Sequence, residues 1–135
     1  MRYIGIDIAS EVHALAIVDE GGSILVKATT FAESHEGYEE LLAAVGDPDS
    51  ALVAMEATGH YWQNVFAKLA AAGFRVALIN PLQTRRFAEA DLERTKTDAI
   101  DALGIARFAA AKRPPAAPLT DEATEELREL VRFRD

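Results

Sequence analysis

The first third of the chain alternates apolar, β-branched runs with turn residues, and this pattern predicts three consecutive strands. The runs extend from Arg2 to Ala9, from Val12 to Val18 and from Ser23 to Phe31. Asp19-Glu20-Gly21-Gly22 is a turn sequence between the second run and the third. Because these connections are short, we expect an antiparallel meander.

The middle of the chain predicts helices that alternate with short, wholly apolar strands, as in βαβ units. Ser34 is a favourable N-cap for the first helix, and Gly73 is a favourable residue just after the second. The sequence Asn80-Pro81 is expected to stop a strand, and Thr97 to cap the last helix. The predicted elements are a helix from Ser34 to about Val45, a strand from Ala51 to Met55, a helix bearing Trp62, Val65, Phe66 and Leu69, a strand from Phe74 to Ile79, a basic mixed segment from Gln83 to Lys96, and a helix from Thr97 to about Ala111.

Size and composition are those of one compact domain with a substantial core. The chain has 135 residues, half of them apolar, and no cysteine, so disulfides and thiolate metal sites are excluded. No signal sequence or membrane-spanning run is present in the sequence, which favours a cytoplasmic protein that does not enter a membrane. We expect a domain over residues 1–113, then a Pro/Ala linker and the start of a C-terminal coiled-coil helix over 114–135.

The charge is unevenly distributed, which limits where nucleic acid could bind. The formal net charge of -8 argues by itself against a phosphate-binding surface. Residues 81–113 nevertheless hold 7 basic and 5 acidic side chains, whereas residues 1–80 hold 4 and 11. Any contact with a nucleic-acid backbone should use this basic region, although an ordinary solvated surface explains any single arginine equally well. The candidate contact residues are Arg85, Arg86, Arg94 and Lys96.

Four acidic residues lie in or beside apolar runs, where an unpaired carboxylate is costly to bury. Carboxylates in such places are usually paired with cations, protonated or bound to metal. If the four converged, they would form an all-oxygen site of the kind that Mg²⁺ or Mn²⁺ prefers, as in nucleases and phosphoryl-transfer enzymes. The four residues are Asp7, Glu56, Asp98 and Asp101.

Asp98 and Asp101 are expected on the apolar face of the last predicted helix, because residues three apart share a helix face. Like charges at this spacing repel, so a cation between them and the sheet would explain the pair. The simpler alternative for Asp98 is a first-turn acid favoured by the helix dipole, with Asp101 on a partly exposed shoulder.

Asp7 lies in the first predicted strand, and Glu56 lies at the end of the short buried strand that starts at Ala51. Alternation places Asp7 on the same strand face as Gly5, and a glycine inside a strand often marks the close approach of another group. Glu56 ends a buried strand, the position where ligand sites of open α/β sheets cluster. A half-exposed strand for Asp7 and a helix-proximal cap for Glu56 are the simpler alternatives. Residues expected to form the wall of such a site, or else a helix start with core anchors, are Thr58, His60 and Tyr61.

Several motifs taken together resemble the N-terminal RuvC-like domain of the DEDD transposases, which are insertion-sequence recombinases guided by a bridge RNA and related to the pilin-gene invertases. The resemblance covers essentially the whole chain, and its two longer motifs are the specific ones. The motifs are Gly5-Ile6-Asp7, Met55-Glu56-Ala57-Thr58-Gly59-His60-Tyr61-Trp62, Asn80-Pro81 and Lys96-Thr97-Asp98-Ala99-Ile100-Asp101-Ala102.

The resemblance implies a ribonuclease-H-like (RuvC-like) α/β fold with a mixed sheet, in which three antiparallel strands precede βαβ units and helices flank the sheet. It also implies that the four acids bind Mg²⁺ or Mn²⁺ and act on DNA strands during transposition, with a guide RNA as a second partner and a homo-oligomer as the full-length form. Full-length members continue into a coiled-coil segment and a domain with a serine nucleophile. We therefore expect the present chain to be inactive alone.

Two other classes of function are compatible with parts of the sequence. A Gly-Ile-Asp strand followed by a hairpin also opens the actin-like sugar kinases, but the glycine-rich phosphate loops of those enzymes are absent from this sequence. A non-catalytic domain that binds nucleic acid or assembles with partner protomers is the other alternative, and metal-dependent stabilisation would separate it from a nuclease.

Overall fold

The computed structural model describes residues 1–57, 61–90 and 101–117, which form one five-stranded sheet with helices on both faces. A short 3-10 turn, Pro48–Ser50, precedes the fourth strand. The strands are β1 (Arg2–Asp7), β2 (Val12–Val18), β3 (Ile24–Ala32), β4 (Ala51–Glu56) and β5 (Arg75–Ile79). The helices are α1 (His35–Val45), α2 (Trp62–Ala71), α3 (Pro81–Ala90) and α4 (Ala102–Lys112).

Strand β1 lies at the centre of the sheet, whose order is β3-β2-β1-β4-β5. It pairs antiparallel with β2 and parallel with β4, while β2 pairs antiparallel with β3 and β4 parallel with β5. The predicted meander followed by βαβ units is therefore confirmed, including the mixed character of the sheet.

A separate apolar core covers each face of the sheet, because successive residues of β1 point to opposite sides. Ile4 and Ile6 are fully buried on the face covered by α1 and α2. Tyr3 lies on the other face, where Ile105 and Phe108 of α4 pack. Both faces of β1 are thus buried along its middle, and its carboxyl end is exposed at Asp7.

Two of the predicted helix boundaries are confirmed, one by a hydrogen bond and one by the backbone conformation of a glycine. The Ser34 hydroxyl accepts a hydrogen bond of 3.1 Å from the backbone N–H of Gly37, which caps α1. Gly73 follows the end of α2 with φ at +92°, a conformation that glycine adopts without steric cost.

Helix α3 was not predicted, since the sequence Asn80-Pro81 indicates only the end of a strand. The Asn80 side chain accepts a hydrogen bond of 2.8 Å from the backbone N–H of Leu82, and Pro81 is the first residue of the helix. Proline is favourable there, because its fixed φ suits a helix and the first N–H of a helix has no partner within it. The sequence pattern predicts only a basic mixed segment from Gln83 to Lys96 without a helix, and residues 83–90 of it belong to α3.

The last helix begins later than predicted. Asp101 has ψ at 176°, which is extended, and α4 starts at Ala102. A helix running through Asp101 was therefore wrong, as was the placement of this acid on an inward helical stripe. Its carboxylate accepts a hydrogen bond of 2.8 Å from the Gly104 N–H, so Asp101 is the N-cap. Thr97 and Asp98 lie outside the described residues.

The chain after α4 contacts the sheet again at its outer strand. The backbone N–H of Ala117 donates a hydrogen bond of 2.8 Å to the carbonyl oxygen of Val76 in β5. In the portion of the chain that the structure describes, no helix combines the length and apolar character needed to cross a membrane.

Candidate active site

Asp7 and Glu56 end two neighbouring parallel strands on the same face of the sheet. In the register of β1 with β4, Gly5 lies opposite Ala54 and Ile6 opposite Met55. One further step along both strands gives Asp7 and Glu56. Because parallel strands point their carboxyl ends to one edge of the sheet, these two carboxylates come together where α/β folds usually bind ligands.

Helix α4 rests directly on the sheet because the residues beneath it are small. Gly5 lies in a row of small residues across four strands, with Ala16, Ala54 and Ala77 as its neighbours. A Cβ atom on Gly5 would lie 2.2 Å from the carbonyl oxygen of Ala102 and 2.3 Å from the nitrogen of Ala106. The expected close approach at this glycine is therefore the backbone of α4 itself.

The same packing brings Asp101 to the carboxyl end of β1. Gly5 contacts the first turn of α4, Asp101 caps that turn, and Asp7 lies two residues beyond Gly5 on the same face of the strand. A carboxylate has several lone-pair sites, so the bond from Gly104 N–H to Asp101 is compatible with a second contact of that group. Three of the four predicted acids, Asp7, Glu56 and Asp101, thus lie near one edge of the sheet.

The electrostatics of Asp7 reflect this crowding. Burial raises the pKa of the Asp7 carboxyl, and the negative charge of Asp101 raises it further. The side chain is still open to solvent at the rim of the sheet. A carboxylate that is accessible yet repelled by another carboxylate is a favourable place for a cation.

Glu56 is half-buried and is contacted by a threonine that the sequence did not single out. Burial raises the pKa of Glu56, a hydrogen bond from the Thr84 hydroxyl lowers it, Asp7 raises it and Arg85 lowers it, with a raised pKa as the result. Thr84 is only 1% exposed and its Oγ1 also lies 2.9 Å from the carbonyl oxygen of Pro81. Since one hydroxyl hydrogen serves one acceptor at a time, Thr84 can donate to Pro81 or to Glu56.

The predicted nucleic-acid-binding and site-wall residues lie partly on exposed surfaces and partly outside the described residues. Arg85 and Arg86 are exposed on α3, and Arg85 is close enough to Glu56 to affect its pKa. Tyr61 is 45% exposed just before α2 and forms no side-chain cap there. The predicted residues that lie outside the described part of the chain are Thr58, His60, Arg94, Lys96 and Asp98.

The donor chemistry of this edge suits a hard divalent cation, because carboxylate oxygens are the ligands that Mg²⁺ and Mn²⁺ prefer. Asp7 interacts electrostatically with both Asp101 and Glu56. Within residues 1–57, 61–90 and 101–117, no three histidine or carboxylate side chains are spaced to hold a metal ion jointly. The case for a divalent cation at this edge therefore rests on the carboxylate oxygens as donors and on the electrostatic interaction between the acids.

The chain matches a family model described as a transposase over residues 4–135, which is almost its whole length. It belongs to the IS110-type DEDD transposases. Pilin gene-inverting proteins of Moraxella lacunata and Moraxella bovis are each 30% identical to it over 117 residues. These matches cover 84% of this chain but 35% of each relative, so the chain spans about a third of the length of the curated proteins it resembles.

Solved structures confirm the predicted ribonuclease-H-like fold of this transposase domain. RuvC of T. thermophilus in complex with Holliday junction substrate matches with a TM-score of 0.53 at 18% identity, over 86% of this chain and 98% of that one. A second Thermus thermophilus RuvC structure matches with a TM-score of 0.50 at the same identity. The family assignment removes the sugar-kinase alternative.

Thr84 and His13 are the residues of this region that the sequence interpretation missed. A buried threonine has no sequence signal of its own, although its position in the first turn after Asn80-Pro81 would have indicated it once that turn was recognised as helical. His13 occupies a core position of β2 and is 1% exposed. The alternation of β2, which places its neighbours Val12 and Ala14 on the opposite face, indicates that His13 points into the core, but not that its nitrogens have partners.

Proposed function

We propose that this domain carries the divalent-metal site with which an RNA-guided transposase cuts and rejoins DNA strands. The observation that supports the proposal best is that Asp7 and Glu56 end neighbouring parallel strands, while Asp101 begins the helix that packs on the same face of the sheet. Negative charges that lie close together are stabilised by a cation between them. The site lies at the surface, so a DNA phosphate can reach it.

Mg²⁺ or Mn²⁺ would be held by the carboxylates of Asp7, Glu56, Asp98 and Asp101. The bound metal would polarise the scissile phosphate and would neutralise charge that develops on it. Three of these acids lie in the part of the chain that the structure describes: Asp7 at the end of the central strand, Glu56 beside it, and Asp101 at the start of α4. Their rigid elements would hold the oxygens in place before DNA binds.

The nucleic-acid contacts would come from α3 and the basic residues that follow it. Arg85 is exposed and lies near Glu56, so its guanidinium can bind a phosphate oxygen next to the carboxylates. Arg86, Arg94 and Lys96 would extend this contact along the backbone of DNA or of a guide RNA. Such contacts position a strand without reading its sequence, and base pairing with the guide would select the target.

The remaining chemistry would come from other parts of a longer protein and from further copies of it. The chain spans about a third of the Moraxella relatives, so strand exchange is proposed for the whole protein and not for this domain alone. The attacking serine would lie in another domain, with the acids described above preparing the phosphate and the leaving group. A homo-oligomer would bring two such domains to one recombination site.

Metal binding by the purified chain tests the proposal. We expect Mn²⁺ to bind with a dissociation constant of about 0.1–1 mM, the range of weak oxygen sites, and Asp7→Asn to weaken this binding at least about tenfold. Glu40→Gln is the matched control, because it removes one carboxylate from the exposed surface of α1, which covers the opposite face of the sheet. The water-proton relaxation of Mn²⁺ solutions reports the bound fraction.

The two variants lose the same unit of negative charge, so a general attraction of Mn²⁺ to an acidic protein would affect them equally. Equal affinities for Asp7→Asn, Glu40→Gln and the unchanged chain would contradict the metal proposal. The domain would then be one that binds nucleic acid or assembles with partner protomers without acting on a phosphate.

A further inference from the structure

A buried histidine next to the candidate site holds the turn that follows Asp7. His13 lies in β2, is 1% exposed, and packs its ring 5.2 Å from the ring of Phe31. Its Nδ1 is 3.0 Å from the backbone nitrogen of Ala9, and its Nε2 is 3.0 Å from Oε1 of Glu33. Both ring nitrogens are therefore in hydrogen bonds, one of them to the turn that joins β1 to β2.

These contacts determine which nitrogen of His13 carries the hydrogen. A backbone N–H can only donate, so Nδ1 accepts from Ala9 and the ring hydrogen is on Nε2, which donates to Glu33. The Glu33 carboxylate also accepts a hydrogen bond from the Tyr38 hydroxyl of α1. The imidazole is thus fixed in orientation from its far side, and its acceptor nitrogen is aimed at the turn.

The turn held in this way begins immediately after Asp7. Asp7 pairs with Ala14 at the end of the β1–β2 ladder, and Ala9 is the second residue beyond Asp7. On the other side of the turn, the carbonyl of Glu11 accepts a hydrogen bond of 2.8 Å from the N–H of Glu33. Ile8 packs against the apolar core in the first half of the turn, and the bond from Ala9 N–H to His13 is the hydrogen bond that ties this half to a buried side chain.

We infer that His13 is a positioning residue for Asp7: by accepting from Ala9 N–H it fixes the turn after β1 and with it the direction of the Asp7 carboxylate. His13 does not touch the metal or the DNA in this role. The inference rests on the proposed metal function, since the carboxylate is being positioned for a cation. Outer contacts that orient ligands commonly change metal affinity by about 10–100-fold when they are lost.

Two substitutions at His13 distinguish the loss of the hydrogen-bond acceptor for Ala9 N–H from the loss of the aromatic ring. In His13→Asn the side-chain oxygen can take the place of Nδ1 and accept from Ala9, whereas in His13→Gln the amide reaches toward Glu33 and leaves Ala9 N–H without its acceptor. Both remove the aromatic ring, so both should lower thermal stability to a similar degree. Tyr38→Phe is a further control, because it perturbs the network at its outer end and leaves the Ala9 contact in place.

The experiment measures Mn²⁺ affinity by water-proton relaxation, together with hydrogen exchange of the Ala9 amide by NMR. The inference predicts that His13→Gln binds Mn²⁺ about tenfold more weakly and exchanges the Ala9 amide rapidly, while His13→Asn and Tyr38→Phe stay within about threefold of the unchanged chain. Equal weakening in His13→Asn and His13→Gln would overturn it, as would unchanged affinity in His13→Gln despite rapid exchange at Ala9.

Mn²⁺ binding by the unchanged chain and by Asp7→Asn tests the metal proposal separately from the role of His13. If the unchanged chain binds Mn²⁺ and Asp7→Asn does not, metal binding stands whatever the His13 variants do. If the unchanged chain binds no Mn²⁺, the metal proposal fails, and the role inferred for His13 fails with it.

Discussion

Replacement of Gly5 by alanine should both destabilise the domain and disturb its acidic site. The new Cβ would lie 2.2 Å from the Ala102 carbonyl oxygen and 2.3 Å from the Ala106 nitrogen, and both are backbone atoms that cannot move without α4. Overpacking of a core commonly costs about 1–3 kcal/mol, and a backbone clash belongs at the upper end, so we expect a loss of about 3 kcal/mol. At this chain length that corresponds to a drop in Tm of about 10 °C.

Urea denaturation followed by circular dichroism measures this loss, and Gly21→Ala is the matched control. A Cβ on Gly21 would meet only Oδ1 of Asp19 at 3.6 Å, an ordinary contact, so that variant should be within about 0.5 kcal/mol of the unchanged chain. Because α4 carries Asp101 at its start, Gly5→Ala should also weaken Mn²⁺ binding while the protein is still folded. Stability of Gly5→Ala within about 0.5 kcal/mol of the unchanged chain would refute the packing of α4 on β1.

Three further predictions concern single side chains at the site. Burial and a neighbouring carboxylate raise the pKa of Asp7 above 3.8. In the presence of a chelator, the stability that protonated Asp7 contributes should therefore be complete below pH 3.8 and should be lost as the pH rises through the pKa of the folded state. Asp7→Asn should flatten that part of the curve of stability against pH. Thr84→Val should weaken Mn²⁺ binding about tenfold in a titration because Glu56 loses a donor, whereas Thr84→Ser keeps the hydroxyl and should bind normally. Arg85→Gln should reduce the slope of log affinity for RNA against log salt by about 1, while Arg75→Gln, at the amino end of β5, should leave the slope unchanged.

Much of the architecture could be predicted from local sequence signals. Alternating and continuous apolar runs predicted all five strands, and Ser34 and Gly73 marked two helix ends through a cap and a positive φ that the structure confirms. The register of β1 with β4 then follows from the fold, so the meeting of Asp7 with Glu56 could be anticipated from two strand ends.

Other features could not be predicted, because the decisive residues have more than one physical role. Pro81 stops a strand but also favours the first turn of a helix, and only the structure shows that it begins α3. Asp101 could be a helical residue or a cap, and its bond from Gly104 shows that it is a cap. The partners of His13 and Thr84 come from distant parts of the chain or depend on an unrecognised helix, so local sequence patterns contain little sign of them.

The central claim is that these carboxylates act on DNA strands, and strand exchange tests it most directly. The domain would be fused to the remaining two thirds of a Moraxella pilin gene-inverting protein, and recombination would be measured on a DNA inversion substrate with the unchanged domain, Asp7→Asn or Asp101→Asn. Asparagine at 101 preserves an N-cap acceptor, so α4 should stay in place. We predict that both variants bind nucleic acid normally and lose recombination by at least about a thousandfold, as expected when charge stabilisation of the transition state is removed. Recombination at the unchanged rate in both variants would show that the carboxylates are structural and would contradict the account.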